Sequence, residues 1–290
     1  MNIALVSYLD QGAYDTTTVE SEDDKLLDFL KEKGLKIEKV IWNDQNINWE
    51  DYSLAILKSP WDYFDLIEDF YKWLNHLEAK KVKLLNPIDI VRWNSNKKYL
   101  QEIEAAGLKV TPSVFISNQE NINLSYFFQK FNTDQLIVKP CVSGGAKNTF
   151  KVTADNVDEI NLKLQKLVQE EDFIVQPFLT EILESGEWSF VFFNGKYSHS
   201  LIKQAKAGDF RVQPAHGGSV HPQKPSEELI AKAQQYVASF AKNCLYARVD
   251  GTFVNGDFLL MELELIEPFL FLNTAPENYH RYYKALKDLI

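Results

Sequence analysis

The sequence predicts an α/β protein of three lobes: an N-terminal parallel-sheet lobe, a small central lobe and an antiparallel C-terminal lobe, the last two of α+β character. Three observations predict it. Strand and helix patterns alternate over residues 2–85, as in a parallel sheet covered by helices. A strand-loop-strand-helix-strand block follows, and from Gly186 onward antiparallel hairpin signals dominate. The lobes span residues 1–88, 89–180 and 181–290.

The elements follow in order. Residues 2–7 are an apolar run suited to a buried parallel strand, and residues 20–33 an amphipathic helix ending at Gly34. Strands over 37–42 and 54–58, a helix over 66–79 and a strand over 82–85 complete the first lobe. Residues 89–106 read as helical segments carrying Lys97 and Lys98. Strand 114–116, helix 124–131 and strand 136–139 come next. The loop Ser143-Gly-Gly-Ala-Lys147, strand 150–152, helix 157–168 and strand 173–176 complete the central block. A hairpin then turns at Asn194-Gly195 between strands 188–193 and 197–202. A loop of about 20 residues follows, and loops of that length are usually functional or disordered. Helix 227–242, an acidic hairpin and helix 276–289 close the chain.

With 290 residues and 45% hydrophobic content, the chain can bury a sizeable core. The net charge of −10 is spread along it, which disfavours a nucleic-acid or anionic-membrane partner. Cys141 and Cys244 do not make a disulfide framework. The first residues lack the pattern of a signal peptide, and no apolar run approaches membrane-spanning length, so a cytoplasmic protein is expected.

The acidic hairpin carries the most chemistry. It reads Tyr246-Ala-Arg-Val-Asp250, a turn, then Met261-Glu-Leu-Glu-Leu-Ile-Glu-Pro268. In a strand Glu262 and Glu264 share one face, and neighbouring carboxylates are most easily kept together by a cation. A strict two-residue turn at Asn255-Gly256 pairs Asp250 with Met261 and puts the carboxylates on opposite faces. A three-residue loop, or a bulge with the same effect, pairs Asp250 with Glu262 and Arg248 with Glu264. The shifted register is expected; a merely solvent-facing acidic strand is the alternative.

Other segments suit phosphate and base binding. Lys139 ends an apolar strand just before the glycine-rich loop, where backbone N–H groups can approach phosphate oxygens. That loop lacks the GxxxxGK[ST] pattern of a P-loop. Gln176-Pro-Phe178 ends a strand, leaving backbone groups for a planar base, and Glu187 suits sugar hydroxyls. Lys97, Lys203, Arg211 and His216 are each as consistent with a surface residue as with a ligand. Trp61, Asp62 and Tyr63 follow a strand, at the edge where an open α/β sheet binds ligands. No GxSxG, HExxH or zinc-ligand spacing is present.

Together and in this order, these motifs resemble the ATP-grasp superfamily of carboxylate–amine ligases, and within it the subgroup of the O-ureido-serine cyclo-ligase of the cycloserine pathway. The residues carrying the resemblance are Ser59-Pro-Trp-Asp-Tyr63, Arg92-Trp-Asn94 with Lys97, Gly208-Asp-Phe-Arg211, Tyr246–Asp250 and Glu262–Pro268. The resemblance implies ATP as cofactor, with Mg²⁺, two ions being expected and Mn²⁺ an acceptable substitute. It implies that Lys97, Lys139 and Lys203 reach ATP phosphates and that Ser143, Gly144 and Gly145 begin a flexible loop covering them. Gln176, Pro177 and Phe178 take the adenine-hinge position and Glu187 the ribose position. Asp250, Glu262 and Glu264 match the metal ligands, and Arg248 the arginine that steadies the transferred phosphate. Arg211, Gly217 and Gly218, with His216, resemble a loop closing over an acyl phosphate. Trp61, Asp62 and Tyr63 are expected to border the acceptor pocket. Glu264 departs from the Glu-x-Asn pattern of many relatives. The implied substrates are a small carboxylate and an amine, or a short peptide; a homodimer is compatible with this reading. A nucleotide-binding relative without turnover is the alternative.

Overall fold

The computed structural model of the chain describes residues 1–10, 17–117, 122–206, 208–212 and 217–290. Strands β1 (Asn2–Ser7), β2 (Lys36–Ile41), β3 (Leu54–Ser59) and β4 (Lys83–Leu85) form a parallel sheet in the order β2-β1-β3-β4. The two inner strands are buried almost end to end, which accounts for their unbroken apolar runs. Helices α1 (Thr17–Glu32) and α2 (Ile67–Ala79) connect the strands, α1 starting earlier than its apolar periodicity suggests.

Two short helices, α3 (Ile88–Asn94) and α4 (Tyr99–Ala105), lead into the central part. Lys97 does not lie in a helix, as its surroundings suggest; it occupies the turn between α3 and α4. The Asn96 side chain there accepts from the Lys98 N–H at 3.0 Å, a local bond that competes with helix continuation. The central antiparallel sheet has the order β5-β8-β6-β7: β5 (Val114–Ile116), β6 (Leu136–Pro140), β7 (Phe150–Val152) and β8 (Phe173–Pro177). It packs with α5 (Leu124–Phe131) and α6 (Val157–Leu167) around a core of its own that includes Phe127, Leu136, Leu164 and Phe173.

The third sheet runs β11-β10-β9-β12-β13, all antiparallel. Its strands are β9 (Glu187–Phe193), β10 (Lys196–Gln204), β11 (Ser219–Pro222), β12 (Tyr246–Val254) and β13 (Asp257–Glu264). Helices α7 (Glu181–Ser185), α8 (Glu227–Phe240) and α9 (Pro276–Leu289) accompany it. β11 lies within the expected long loop; no residue of it is buried, so it carries no alternating apolar signal. The β1/β3 sheet and this third sheet share one core, in which Ile3, Leu5 and Ile56 meet Val191, Phe193, Tyr246 and Tyr282. No helix among the described residues is long and apolar enough to cross a membrane.

The acidic hairpin has the shifted register, reached through its bulge. Val254 pairs with Asp257 across a two-residue turn whose Asn255 and Gly256 have φ of 52° and 85°. Gly251 pairs with Leu260, but Asp250 pairs with Glu262 and Arg248 with Glu264, so Met261 is the extra residue. Gly251 sits against the Leu259 carbonyl and the Phe258 ring, leaving no room for a Cβ.

β13 is an edge strand, and its outer backbone groups are taken up by the α3–α4 region and the chain after it. Leu260 N–H donates to the Lys109 carbonyl at 3.1 Å, and Thr111 N–H to the Leu260 carbonyl at 2.8 Å. Leu263 N–H donates to Tyr99 Oη at 2.9 Å, and Asn94 Nδ2 donates to the Leu263 carbonyl at 2.7 Å. Leu265 N–H donates to Asn94 Oδ1 at 3.0 Å. An edge so paired is fixed in position and closed to other strands.

Candidate active site

A cavity of about 340 Å³ opens between the central and third sheets, with the chain after β3 closing one end. Its size is within the usual range for small-molecule sites. It is lined by Lys97, Lys139, Ser143, Gly144, Gly145, Gln176, Pro177, Phe178, Glu187, Lys203, Arg211, Arg248, Asp250, Glu262 and Glu264, and by Trp61 and Tyr63.

Three expected residues do not line it. Asp62 is turned away and held by Trp42 Nε1 at 2.5 Å and Asn43 Nδ2 at 3.3 Å, a tie within the first lobe. Gly218 packs against the Val212 carbonyl and Gly217 against Lys206. His216 lies outside the described residues.

The floor is a network of alternating charges. Lys203 pairs with Glu187 and, at 2.9 Å, with Asp250. Arg248 Nε reaches both Asp250 oxygens at 3.0 Å, Nη2 pairs with Glu264, and Nη1 donates to the Phe269 carbonyl at 2.8 Å. Ser189 Oγ donates to Asp250 Oδ1 at 2.7 Å. Lys139 Nζ sits 2.5 Å from Glu262 Oε1. The register explains the arrangement, because Asp250, Glu262, Arg248 and Glu264 come to one face only after the bulge. The cations between the carboxylates are thus Arg248, Lys139 and Lys203.

The charges shift one another. Burial works against ionisation of Glu262, yet Lys139 and Lys97 outweigh it and hold its carboxyl at about 2. Burial opposes the Asp250 carboxylate too, and Arg248 and Lys203 overcome it, keeping the group well below the usual range. Burial pushes Glu264 well up, and the charges of Asp250 and Glu262 add to that against the pull of Arg248. Burial likewise raises Glu187, with Lys203 opposing. Carboxylates crowded in this way favour a further cation, and their hard oxygens suit magnesium. Among the described residues no three acidic groups stand close enough to cage a metal alone. That fits a Mg²⁺ held by one or two carboxylates together with substrate phosphates.

The glycine-rich loop lies across the cavity. Lys97 Nζ donates to the Ser143 carbonyl at 2.8 Å, Gly144 touches the Phe64 ring, and Lys147 pairs with Asp65. At the far wall, Gln176 Nε2 donates to Ser113 Oγ at 2.9 Å. The expected free backbone at the strand exit is partly committed: Phe178 N–H donates to the Gln135 carbonyl at 2.9 Å. Lys151 Nζ stands 4.1 Å from the Phe178 ring centroid. Arg211 reaches the cavity but is clamped by Asp209, with Nη2 2.7 Å from Oδ2.

Sequence reasoning missed several residues. Phe210 lines the cavity edge-on to Phe178, and Met261, the bulge residue, lines it beside Leu179 and Ile182. Asn94 and Tyr99 hold β13 in place. Glu267 also lines the cavity; burial pushes its carboxyl up to about 7, with Lys97 opposing and Glu262 adding. The acidic residue beside Pro268 was visible in the sequence, but nothing there said which way it faces.

A phosphate-suited cavity between two antiparallel sheets, floored by paired lysines, arginine and carboxylates, defines a nucleotide-dependent group-transfer enzyme. The family model described as the prokaryotic glutathione synthetase ATP-grasp domain matches residues 99–262, more than half of the chain, so the chain belongs to the ATP-grasp family. It is an ATP-dependent carboxylate–amine ligase of the ADP-forming type. Residues 3–86 match the model of the N-terminal domain of D-cycloserine synthetase DcsG. Cycloserine biosynthesis protein DcsG of Streptomyces lavendulae is 21% identical over 280 residues, covering 91% of this chain and 92% of the relative. The crystal structure of D-cycloserine synthetase DcsG superposes with a TM-score of 0.85 at 22% identity, covering 100% of both chains. D-alanine–D-alanine ligase from Bacillus anthracis, complexed with ATP, gives a TM-score of 0.72 at 14% identity, covering 100% of this chain and 97% of the other.

Proposed function

We propose that the protein activates the carboxylate of a small amino acid, amino-acid derivative or short peptide as an acyl phosphate and joins it to an amine in this cavity. The observation that carries the assignment is the convergence of Lys97, Lys139, Lys203 and Arg248 with Glu262 and Glu264 on one cavity wall system. In this reading the base of ATP lies by Gln176, Pro177 and Phe178 under Phe210, and Glu187 accepts from the ribose. Lys97, Lys139 and Lys203 bind phosphate oxygens, and the Ser143–Gly145 segment covers them. Asp250, Glu262 and Glu264 are the residues that would hold Mg²⁺, two ions in the full reading, and the metal would neutralise phosphate charge.

A substrate carboxylate oxygen attacks the γ-phosphorus while the bond to ADP breaks. The amine then attacks the acyl carbon, inorganic phosphate leaves, and the amine gives up a proton as the C–N bond forms. Arg248, held on Asp250 and Glu264, faces the charge developing on the phosphoryl group. Arg211 joins it only by exchanging Asp209 for the acyl phosphate. Trp61 and Tyr63 border the acceptor end. A cytoplasmic location belongs to the same reading.

The test is ADP release from ATP with pools of amino acids and short peptides, with mass spectrometry of the products. ADP together with a new condensed mass, linear or cyclic, supports the reading. ATP binding without ADP release on any pool overturns it. Glu262→Gln is expected to abolish turnover while the unfolding temperature is kept; retained turnover removes the metal-ligand assignment.

A further inference from the structure

We propose that Glu267 binds the primary ammonium group of the substrate, at the end of the cavity remote from Gln176–Phe178. This rests on the ligase reading and names the chemistry of its substrate more narrowly.

The direction of β13 orders the cavity. Met261 packs with Leu179 and Ile182, next to Phe178. One and three residues further on, Glu262 and Glu264 meet the cations at the centre. Glu267 comes beyond them, where Trp61 Nε1 donates to its carbonyl at 3.2 Å. Trp61, Phe269 and Phe271 line this end with it.

Charge balance sets Glu267 apart. Each other carboxylate in the cavity wall has a cationic side chain within ion-pair distance: Glu187, Asp250, Glu262 and Glu264 pair with Lys203, Arg248 or Lys139. Among the described residues Glu267 makes no such pair; Lys97 and Arg248 act on it only from beyond ion-pair distance. With no cation in contact, ionising this buried carboxyl is costly, and a ligand cation seated on it would offset that cost. Phe271 already faces the Arg248 guanidinium at 5.7 Å, which leaves Trp61 and Phe269 as the rings that a compact organic cation could meet.

The group is also held ready. Arg248 Nη1 donates to the Phe269 carbonyl at 2.8 Å. Both oxygens of Glu22, a carboxylate with no exposed surface, accept backbone N–H groups of the same loop, Leu270 at 3.0 Å and Leu272 at 2.8 Å. A short loop whose backbone is held at Glu267, Phe269, Leu270 and Leu272 limits where the Glu267 carboxylate can reach, which favours a charge-assisted bond to an ammonium group.

The test compares ADP release with free D- and L-amino acids and with the same acids N-acetylated, which lack the ammonium group. Wild-type protein is expected to prefer the free acids by about tenfold or more in kcat/KM, the worth of one charge-assisted bond. Glu267→Gln, of the same shape, is expected to reduce that preference to within about twofold with KM for ATP unchanged, and Glu267→Asp to keep part of it. An unaltered preference in Glu267→Gln, or none in the wild type, overturns the assignment and leaves the ligase reading intact. No ADP release by the wild type with any acid overturns both.

Discussion

One amide, Asn86, joins the first lobe to the last. It is fully buried at the end of β4; its Nδ2 donates to the Tyr246 and Leu265 carbonyls, and its Oδ1 accepts the Leu245 and Tyr246 N–H groups. Removing it strands buried backbone groups, each worth about 1–3 kcal/mol. Asn86→Ala is therefore expected to cost about 3 kcal/mol or more in urea unfolding, whereas breaking the exposed Lys72–Asp69 pair is expected to leave the transition in place. His199 makes a different prediction. Burial lowers it from 6.5 to about 4, while its Nε2 bonds the Leu270 carbonyl at 2.9 Å. Its folded value lies below its unfolded one, so the unfolded chain takes up the proton first as pH falls. Stability is lost as pH drops from about 6.5 towards about 4 and is fully present above that window. His199→Gln is expected to flatten this part of a stability–pH curve relative to the wild type.

At the scale of elements, the bulge in β13 decides whether the acidic hairpin makes a site. The Asn255-Gly256 turn alone would send Asp250 and Glu262 to opposite faces; Met261 restores the face they share. Gly251, opposite the bulge's edge, has the Leu259 carbonyl and the Phe258 ring where a Cβ would go. Gly251→Ala is expected to destabilise by about 1–3 kcal/mol through overpacking and to lower turnover, since any shift there moves Asp250 against Glu262. Denaturant unfolding and steady-state rates on one preparation check both parts. Unchanged stability would show that the hairpin has slack at this point.

For the whole molecule, the central sheet has its own core, while the first and third sheets share one. The cavity is where these two units meet, and the Lys147–Asp65 pair and the Lys97–Ser143 bond cross it. In the function proposed above, a nucleotide filling the cavity would tie the units together and bind the folded state alone. At a concentration about 100 times its Kd it adds about 2.7 kcal/mol, read as a rise in unfolding temperature. ATP with Mg²⁺ is expected to raise Tm by a few degrees, and chelation with EDTA to remove most of that rise. A rise indifferent to EDTA would show that the lysines alone hold the phosphates.

The sequence by itself determined the three sheets, nearly every strand of them, and most of the charged residues that line the cavity, because apolar periodicity and turn residues are local. It also favoured the shifted register of the hairpin, by a turn or by a bulge. Tertiary structure decided what is not local. A turn and a bulge can give the same register; the folded chain has the bulge, with Gly251 packed against the Leu259 carbonyl and the Phe258 ring beside it. Lys97 leaves its helix because the Asn96 side chain competes for the Lys98 backbone. Asp62, expected at the acceptor pocket, is drawn off by Trp42, while Glu267, given no role by sequence, is carried into the cavity by a loop that Glu22 holds from more than 240 residues away. Which carboxylate faces a ligand depends on partners distant in the chain, and the pattern of neighbouring residues does not contain them.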